Sequence, residues 1–148
     1  MKLLLVFGFF WAAYSVLATP FQDCGSLASK TSFLVGKCPT PPCILLKGQS
    51  YNVTMNFTSS VDTKTLTINV TAHVAGSDVP WPGLDHDGCK ELAATSHPCP
   101  ISAGTDVNWM LTANVSPIYP SISTTVTFKL TDDSGGSQMC ARIPVIVH

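Results

Sequence analysis

The residues best suited to chemistry in this chain form an acidic run that contains a histidine. Asp85, His86 and Asp87 stand side by side shortly before Cys89. Carboxylate and imidazole groups are common metal ligands, so this run raises the question of a cation site. Adjacent residues in a loop rarely converge on one ion, however, and no partner ligands stand out elsewhere in the sequence. We therefore interpret the run as a polar loop and predict no metal site.

Catalytic motifs give no stronger signal. The chain contains neither a GxSxG nor an HExxH motif. The histidines are scattered at His73, His86, His97 and His148. Most acidic residues fall in expected turns, which does not suit the paired carboxylates that glycoside hydrolysis requires. We expect no enzymatic activity and no cofactor.

The N-terminal segment has the features of a secretory signal peptide. Lys2 precedes an apolar run, and Val16 and Ala18 occupy the positions that a cleavage site requires. The run is shorter than the roughly 20 apolar residues of a membrane-spanning helix. We predict a cleaved signal at 1–18 and a single domain over 19–148, located outside the cell or in the lysosome.

The charge of the remaining chain argues against one class of partner. Removal of Lys2 lowers the Lys and Arg count from 8 to 7 against 9 Asp and Glu, so the net charge becomes −2. No basic stripe interleaved with aromatic residues occurs, and we predict no nucleic-acid partner. Hydrophobic residues make up 45% of the chain and charged residues only 11%, which is apolar for a small domain. We expect that domain to be a monomer.

The cysteines predict disulfides, because their number is even and they follow a secretory signal. They are Cys24, Cys38, Cys43, Cys89, Cys99 and Cys140. Spacing suggests the close pairs Cys38 with Cys43 and Cys89 with Cys99, and the remaining two would join the ends of the domain, but spacing alone does not decide. Zinc is the rival interpretation, which the absence of a CxxC motif disfavours.

Apolar residues after the signal recur with a period of two. This alternation predicts strands with one buried and one solvated face, and about six or seven short strands predict an antiparallel sandwich or barrel. TDDSGGS at 131–137 predicts a hairpin turn, and KELAATSHP at 90–98 has room for one helical turn. The alternating segments are 32–35, 51–57, 66–74, 107–115, 122–130 and 141–147.

Four glycosylation sequons support the predicted register. Asn52, Asn56, Asn69 and Asn114 each begin an N-x-S/T sequence and fall on the polar face of a predicted strand. Glycans need solvent, and a shift of one residue would turn all four side chains inward. We predict glycosylation at these positions.

The apolar faces contain almost no hydrogen-bonding group. Such faces can form a filled core, or they can border a cavity that holds hydrocarbon with little polar discrimination. Both arrangements produce the same alternation, so periodicity leaves them open.

Several motifs, taken together, resemble the Niemann-Pick type C2 branch of the ML lipid-recognition family. They occur in the order found in that family and cover the whole chain after the signal, including all six cysteines. The motifs are DCGS at Asp23–Ser26, CPTPPC at Cys38–Cys43, KGQSYNVTMNFTS at Lys47–Ser59, VPWP at Val79–Pro82, DGCK at Asp87–Lys90, CPI at Cys99–Ile101, YPSI at Tyr119–Ile122 and CxxIPV at Cys140–Val145.

The resemblance implies an all-β, immunoglobulin-like two-sheet sandwich with a lipid cavity between the sheets. It also implies the disulfides Cys24–Cys140, Cys38–Cys43 and Cys89–Cys99. Carried over by position, the gate of the cavity would be Trp81, Val115 and Tyr119, and Phe128 would stand in its wall. Alternation adds the further wall candidates Val53, Met55, Val70, Val74, Trp109, Ala113, Ile143 and Val145.

The function implied is that of a secreted carrier of a cholesterol-like sterol, with a membrane or a membrane protein as its handover partner. Ala141 stands where a Trp is typical of the family, and the loop around Trp81 is more acidic and less apolar than usual. A carrier of long-chain fatty acids or semiochemicals is the alternative of the same class. A glycolipid-sensing module is the alternative of another class, which the acidic loops disfavour.

Overall fold

A computed structural model describes residues 18–148, so the predicted signal peptide lies outside the described residues except for Ala18. No helix among the described residues has the length and apolarity needed to span a membrane. The strands are β1 Gln22–Asp23, β2 Ser29–Val35, β3 Cys43–Leu45, β4 Ser50–Thr58, β5 Thr67–Val74, β6 Ser77–Pro80, β7 Asp106–Asn114, β8 Ser123–Thr131 and β9 Ser137–Val147, and one 3-10 turn, η1, spans Lys90–Leu92.

The strands form two sheets that enclose a shared apolar core. The larger sheet has the order β1-β9-β8-β5-β6, with β3 also paired to β9, and the smaller has the order β2-β4-β7. This confirms the predicted two-sheet sandwich. The pairing of β3 with β9 is parallel, in a fold whose other pairings are antiparallel among the described strands.

The pairing of β4 with β7 shows how the alternation builds the sandwich. Val53 lies opposite Leu111, and Met55 lies opposite Trp109, all four being buried. Alternate residues of the same strands point away from the core. The sequon asparagines follow this register: Asn52, Asn69 and Asn114 are exposed and Asn56 is half-buried.

Three disulfides tie the loops to the sheets, with the pairing that the family resemblance implies. One joins the start of the domain to β9, one closes the short loop between β2 and β3, and one brackets η1. They are Cys24–Cys140, Cys38–Cys43 and Cys89–Cys99.

A buried polar network closes the end of the sandwich where β4 leads into β5 and β8 turns into β9, called the closed end. Gln138 is fully buried, accepts hydrogen bonds at Oε1 from the N–H and Oγ of Ser60 at 3.0 and 3.1 Å, and donates Nε2 to Asp132 at 2.8 Å. The other carboxylate oxygen of Asp132 accepts the N–H groups of Ser134 and Gly136, each at 2.9 Å. The bonds from Ser60, which follows β4 of the smaller sheet, reach Gln138 in β9 of the larger sheet, and the bonds of Asp132 hold the turn between β8 and β9.

The segment before η1 closes the side of the sandwich between β5 and β7. Ile68 donates its N–H to the carbonyl of His86 at 2.9 Å, and Gly88 donates to the carbonyl of Leu66 at 2.7 Å. The indole Nε1 of Trp109 donates to the Gly88 carbonyl at 2.8 Å. A Cβ at Gly88 would lie 3.0 Å from the Leu66 oxygen, so a side chain there would have to displace this backbone contact.

Candidate functional site

An apolar cavity of about 70 Å³ lies between the two sheets, away from the closed end. Side chains of both sheets border it, and they are mainly aliphatic and aromatic. The periodicity left a filled core and a cavity as open alternatives. The structure shows that the closed half is filled and that the other half retains a space.

Eight of the twelve predicted contact residues border this cavity. They come from five strands and two loops; three of them were carried over from the family resemblance, and the alternation indicated the other five. The eight are Val53, Val70, Trp81, Ala113, Val115, Phe128, Ile143 and Val145.

The other four predicted residues lie elsewhere. Met55 and Trp109 have 0% of their surface exposed and face each other across β4 and β7, deeper in the core. Val74 is half-buried near the end of β5. Tyr119 packs against Trp81 outside the cavity wall.

Sequence reasoning missed several cavity residues. Four of them, Val35, Tyr51, Leu111 and Val126, lie on the apolar faces of predicted strands, so the alternation alone points to them. Leu45 lies in a strand of three residues and Leu84 in a loop, where no periodicity develops.

Two loops meet at one end of the cavity, which we call the mouth. The rings of Trp81 and Tyr119 contact each other edge to face, with centroids 5.5 Å apart. Trp81 directly follows β6, and its N–H donates to the Val70 carbonyl at 2.8 Å. The flanking residues Pro80 and Pro82 restrict the backbone, so the indole is held beside the opening.

The rear end of the cavity lies on the opposite side of the sandwich, near β2 and β3. Val35, Leu45 and Tyr51 form its wall. The Tyr51 hydroxyl accepts the N–H of Leu46 at 2.8 Å. A Cβ at Gly36 would lie 3.2 Å from the Tyr51 ring, so the ring packs directly on the glycine backbone.

The mouth has an acidic rim, in which one aspartate pairs with a lysine and another contacts a histidine. Lys90 Nζ lies 2.5 Å from Asp85 Oδ2, and His73 Nδ1 lies 2.9 Å from Asp78 Oδ1. The hydrogen bond from Lys90, helped by the N–H of Asp87, holds the pKa of Asp85 below its usual value. The same contact raises the pKa of Lys90.

The acidic run next to the mouth does not form a cation site. Asp85 accepts the N–H of Asp87 at 3.0 Å, and Asp87 accepts the N–H of Cys89 at 3.0 Å. The His86 ring contacts the Ile68 carbonyl at 2.8 Å. These groups stabilise the loop, and no cluster of three metal-ligating side chains occurs within residues 18–148.

An apolar cavity between two sheets, with aromatic rings at its mouth, is typical of β-sandwich proteins that enclose apolar ligands. The ML domain family profile matches residues 18–147 of this chain. The chain is 37% identical to the bovine (Bos taurus) NPC intracellular cholesterol transporter 2, over 99% of this chain and 97% of that one. The chain therefore belongs to the ML domain family.

Other relatives and structures agree on family and fold. The mouse (Mus musculus) NPC intracellular cholesterol transporter 2 is 38% identical over 84% of this chain and 82% of its own, and mite group 2 allergen Tyr p 2 of Tyrophagus putrescentiae is 32% identical over 91% of each. A Niemann-Pick type C2 protein from Japanese carpenter ant has a TM-score of 0.75 at 23% identity, covering 87% of this chain and 99% of its own. Chicken MD-1 complexed with lipid IVa has a TM-score of 0.54 at 13% identity, covering 84% and 85%.

Proposed function

We propose that this protein is a soluble carrier that binds a cholesterol-like sterol in the cavity between its sheets. The observation that carries the proposal is the apolar cavity itself, present in a chain that is 37% identical over nearly its whole length to a cholesterol transporter. A carrier has to enclose its apolar ligand and does not have to catalyse a reaction, and this cavity lies enclosed between the two sheets. We propose no enzymatic role.

The cavity must enlarge before it can hold a sterol. Its volume is about 70 Å³, whereas pockets for molecules of this size occupy roughly 300–1,000 Å³. The rings of Trp81 and Tyr119 contact each other at the mouth, and the wall behind them is largely aliphatic. Such contacts have no directional bonds to break and can be exchanged for contacts with a ligand. We propose that these two rings separate on binding while the closed end keeps its hydrogen bonds.

The energetics suit a carrier. Burial of about 300 Å² of apolar ligand surface at about 25 cal/mol per Å² gives about 7 kcal/mol, before the cost of association is subtracted. Within residues 18–148, no charged residue borders the cavity to fix one headgroup. The sterol would be retained by its hydrocarbon body and released without the loss of an ion pair. We propose that its hydroxyl group remains at the mouth, next to the polar rim.

The predicted contact residues take two roles in this proposal. Trp81, Val115 and Tyr119 form the gate, and the strand residues around Phe128 form the wall. Met55 and Trp109 share the inward faces of β4 and β7 with the wall residues, so a cavity that deepens would reach them next.

The proposal also covers where the protein is located and what receives the sterol from it. The predicted signal at 1–18, the disulfides and the outward sequons are features of a secreted chain. Ile118 is 89% exposed and Val79 is 45% exposed, and both flank the mouth loops. We propose that these apolar side chains meet the membrane or the membrane protein that receives the sterol.

Lipid analysis of the secreted protein tests the proposal. The chain is expressed in eukaryotic cells, and lipid extracted from the purified protein is identified by mass spectrometry. The stripped protein is then titrated with dehydroergosterol, a fluorescent sterol. We expect co-purified sterol and saturable binding of about one sterol per chain. Binding of other lipids with no saturable sterol binding would overturn the sterol assignment.

A further inference from the structure

A second recess lies behind the rear end of the cavity, and the proposed function does not use it. This rear groove has a volume of about 300 Å³ and is bordered by the loop that Cys38 and Cys43 close. Val35, Leu45 and Tyr51 border both the cavity and the rear groove. A single layer of side chains therefore separates the two spaces.

Tyr51 is the part of this layer that can move. Its ring is half-buried and packs on the backbone of Gly36, where no side chain covers it. Its hydroxyl accepts one hydrogen bond, from the Leu46 N–H near the surface, and water can replace that donor. A change of side-chain rotamer would join the cavity to the rear groove without altering either sheet.

The rear groove carries a positive charge. Lys37 borders it, and its side chain is exposed. No other charged residue of the described chain borders the groove. Lys30 borders a different recess, and Lys47 Nζ donates to Ser121 Oγ at 2.8 Å, so the charge of the groove rests on Lys37 alone. Lys37 takes part in neither of the two ion pairs that the described residues form. Its ammonium group is thus available to an anionic ligand.

The mouth has the opposite charge. Asp78, Asp85 and Asp87 lie around the loop that carries Trp81, and both ion pairs of the described chain belong to this side, between β5 and η1. A carboxylate at the mouth would meet this acidic rim. At the rear groove it would meet Lys37, so the two ends of the cavity favour one orientation of an anionic lipid.

We propose that the rear groove is a second ligand subsite, in which Lys37 binds the carboxylate of a long-chain fatty acid whose hydrocarbon chain passes Tyr51 into the cavity. The groove and the cavity together reach the lower end of the roughly 300–1,000 Å³ that such ligands need. This inference rests on the proposed function because it uses the same cavity. It adds a binding subsite and a charged contact residue, and gives a bound fatty acid an orientation opposite to that of a sterol hydroxyl at the mouth.

The test compares an acid with a neutral lipid of the same chain. Oleate and oleyl alcohol are titrated by calorimetry into the full secreted protein at low salt, with the wild type, Lys37→Gln, Lys37→Arg and Lys129→Gln. Because Lys37 is exposed, its ion pair with a carboxylate should be weak, and we expect Lys37→Gln to raise the Kd of oleate only about fivefold. The Kd of oleyl alcohol should change by less than about twofold. Lys37→Arg keeps the charge and should keep the affinity. Lys129→Gln, on the outer face of β8, should change neither Kd.

The outcomes separate this inference from the sterol proposal. A loss of affinity in Lys37→Gln that is specific to oleate, together with a wild-type oleate affinity that falls as salt rises, supports the subsite whether or not sterol binds. Equal changes for oleate and oleyl alcohol, or no change for either, would overturn it. Failure of the wild type to bind oleate, with dehydroergosterol still bound, would also overturn it and leave the sterol carrier intact.

Discussion

The two ends of the sandwich are built from different interactions. At the closed end, Gln138 and Asp132 are buried and hydrogen-bonded to each other. Gln138 also accepts two hydrogen bonds from Ser60, which follows β4 of the other sheet, and Asp132 accepts two N–H groups of its own turn. At the mouth, the rings of Trp81 and Tyr119 meet edge to face, and the cavity wall behind them is mainly aliphatic. Hydrogen bonds fix distances and angles, whereas apolar contacts tolerate rearrangement.

This difference assigns stability to one half of the molecule and ligand exchange to the other. A buried polar group that loses its partner is costly, so the closed end resists opening. The mouth loses only weak contacts when it opens, and a lipid restores them. Substitutions at the closed end should therefore affect the free energy of unfolding, and those at the mouth should affect lipid affinity.

The largest effect on stability should come from the filled half of the core. Leu130 is 0% exposed, and Leu130→Ala should lower the free energy of unfolding by about 2–5 kcal/mol. Leu111 borders the cavity and already lacks neighbours on one side, so Leu111→Ala should cost roughly 1–2 kcal/mol. Urea denaturation measures both. Equal costs would mean that the two halves are packed alike.

The polar network should give the next largest effect. Gln138→Ala leaves the Ser60 N–H and one Asp132 oxygen without their partner, which should cost about 2–3 kcal/mol. Gln49 is exposed, and Gln49→Ala serves as the control with little expected change. Sterol affinity of the folded Gln138→Ala protein should be unchanged at low temperature. A weaker affinity in that variant would show that the two ends are coupled.

At the mouth, a substitution should affect sterol affinity more than the free energy of unfolding. Trp81→Ala removes one ring of the gate and should weaken sterol binding about tenfold, with less than about 1 kcal/mol lost in stability. Trp81→Phe retains a ring at the mouth and should stay close to the wild type. Dehydroergosterol titration measures the sterol Kd, and urea denaturation measures the free energy of unfolding. Loss of the fold in Trp81→Ala would make this residue part of the core, and unchanged affinity would remove it from the gate.

The smallest effect should come from the acidic rim. Contact with Lys90 lowers the pKa of Asp85, so the contribution of the pair is present above the ordinary pKa of the carboxyl group and is lost as the pH falls through the lowered pKa. Because both groups are exposed, Asp85→Asn should change neither the unfolding midpoint nor sterol affinity measurably. An NMR titration should show the pKa of Asp85 rising in Lys90→Gln. A large loss of affinity in Asp85→Asn would give the rim a direct role in binding.

Much of the fold was predictable because long strands alternate strictly. The segments 51–57 and 107–115 were predicted as strands, and β4 and β7 cover nearly the same residues. β1, β3 and β6 have two to four residues, too few for a period to appear, and the parallel position of β3 depends on its partner β9 rather than on its own sequence.

The site was predictable only in part, for a related reason. Alternation identifies inward residues but not whether space remains beside them, so it treated Met55 and Val53 alike although only Val53 borders the cavity. Asp132 lies within TDDSGGS, which has the composition of an exposed turn, and only the fold places its carboxylate against Gln138. The rear groove arises from a loop and three strands, β2, β3 and β4, that no local pattern connects.

The segment that supports the mouth loop also covers part of the edge of β5. The His86 carbonyl accepts the N–H of Ile68 in β5, and the Gly88 N–H donates to the carbonyl of Leu66, just before β5, beyond the point where β6 covers that strand. An uncovered strand edge is a template on which another chain can add a strand, and it is a common origin of aggregation. This part of β5 is occupied by the chain itself, and the Cys89–Cys99 disulfide tethers the loop that follows. The segment that supports the mouth loop thereby keeps this strand edge from pairing with another molecule.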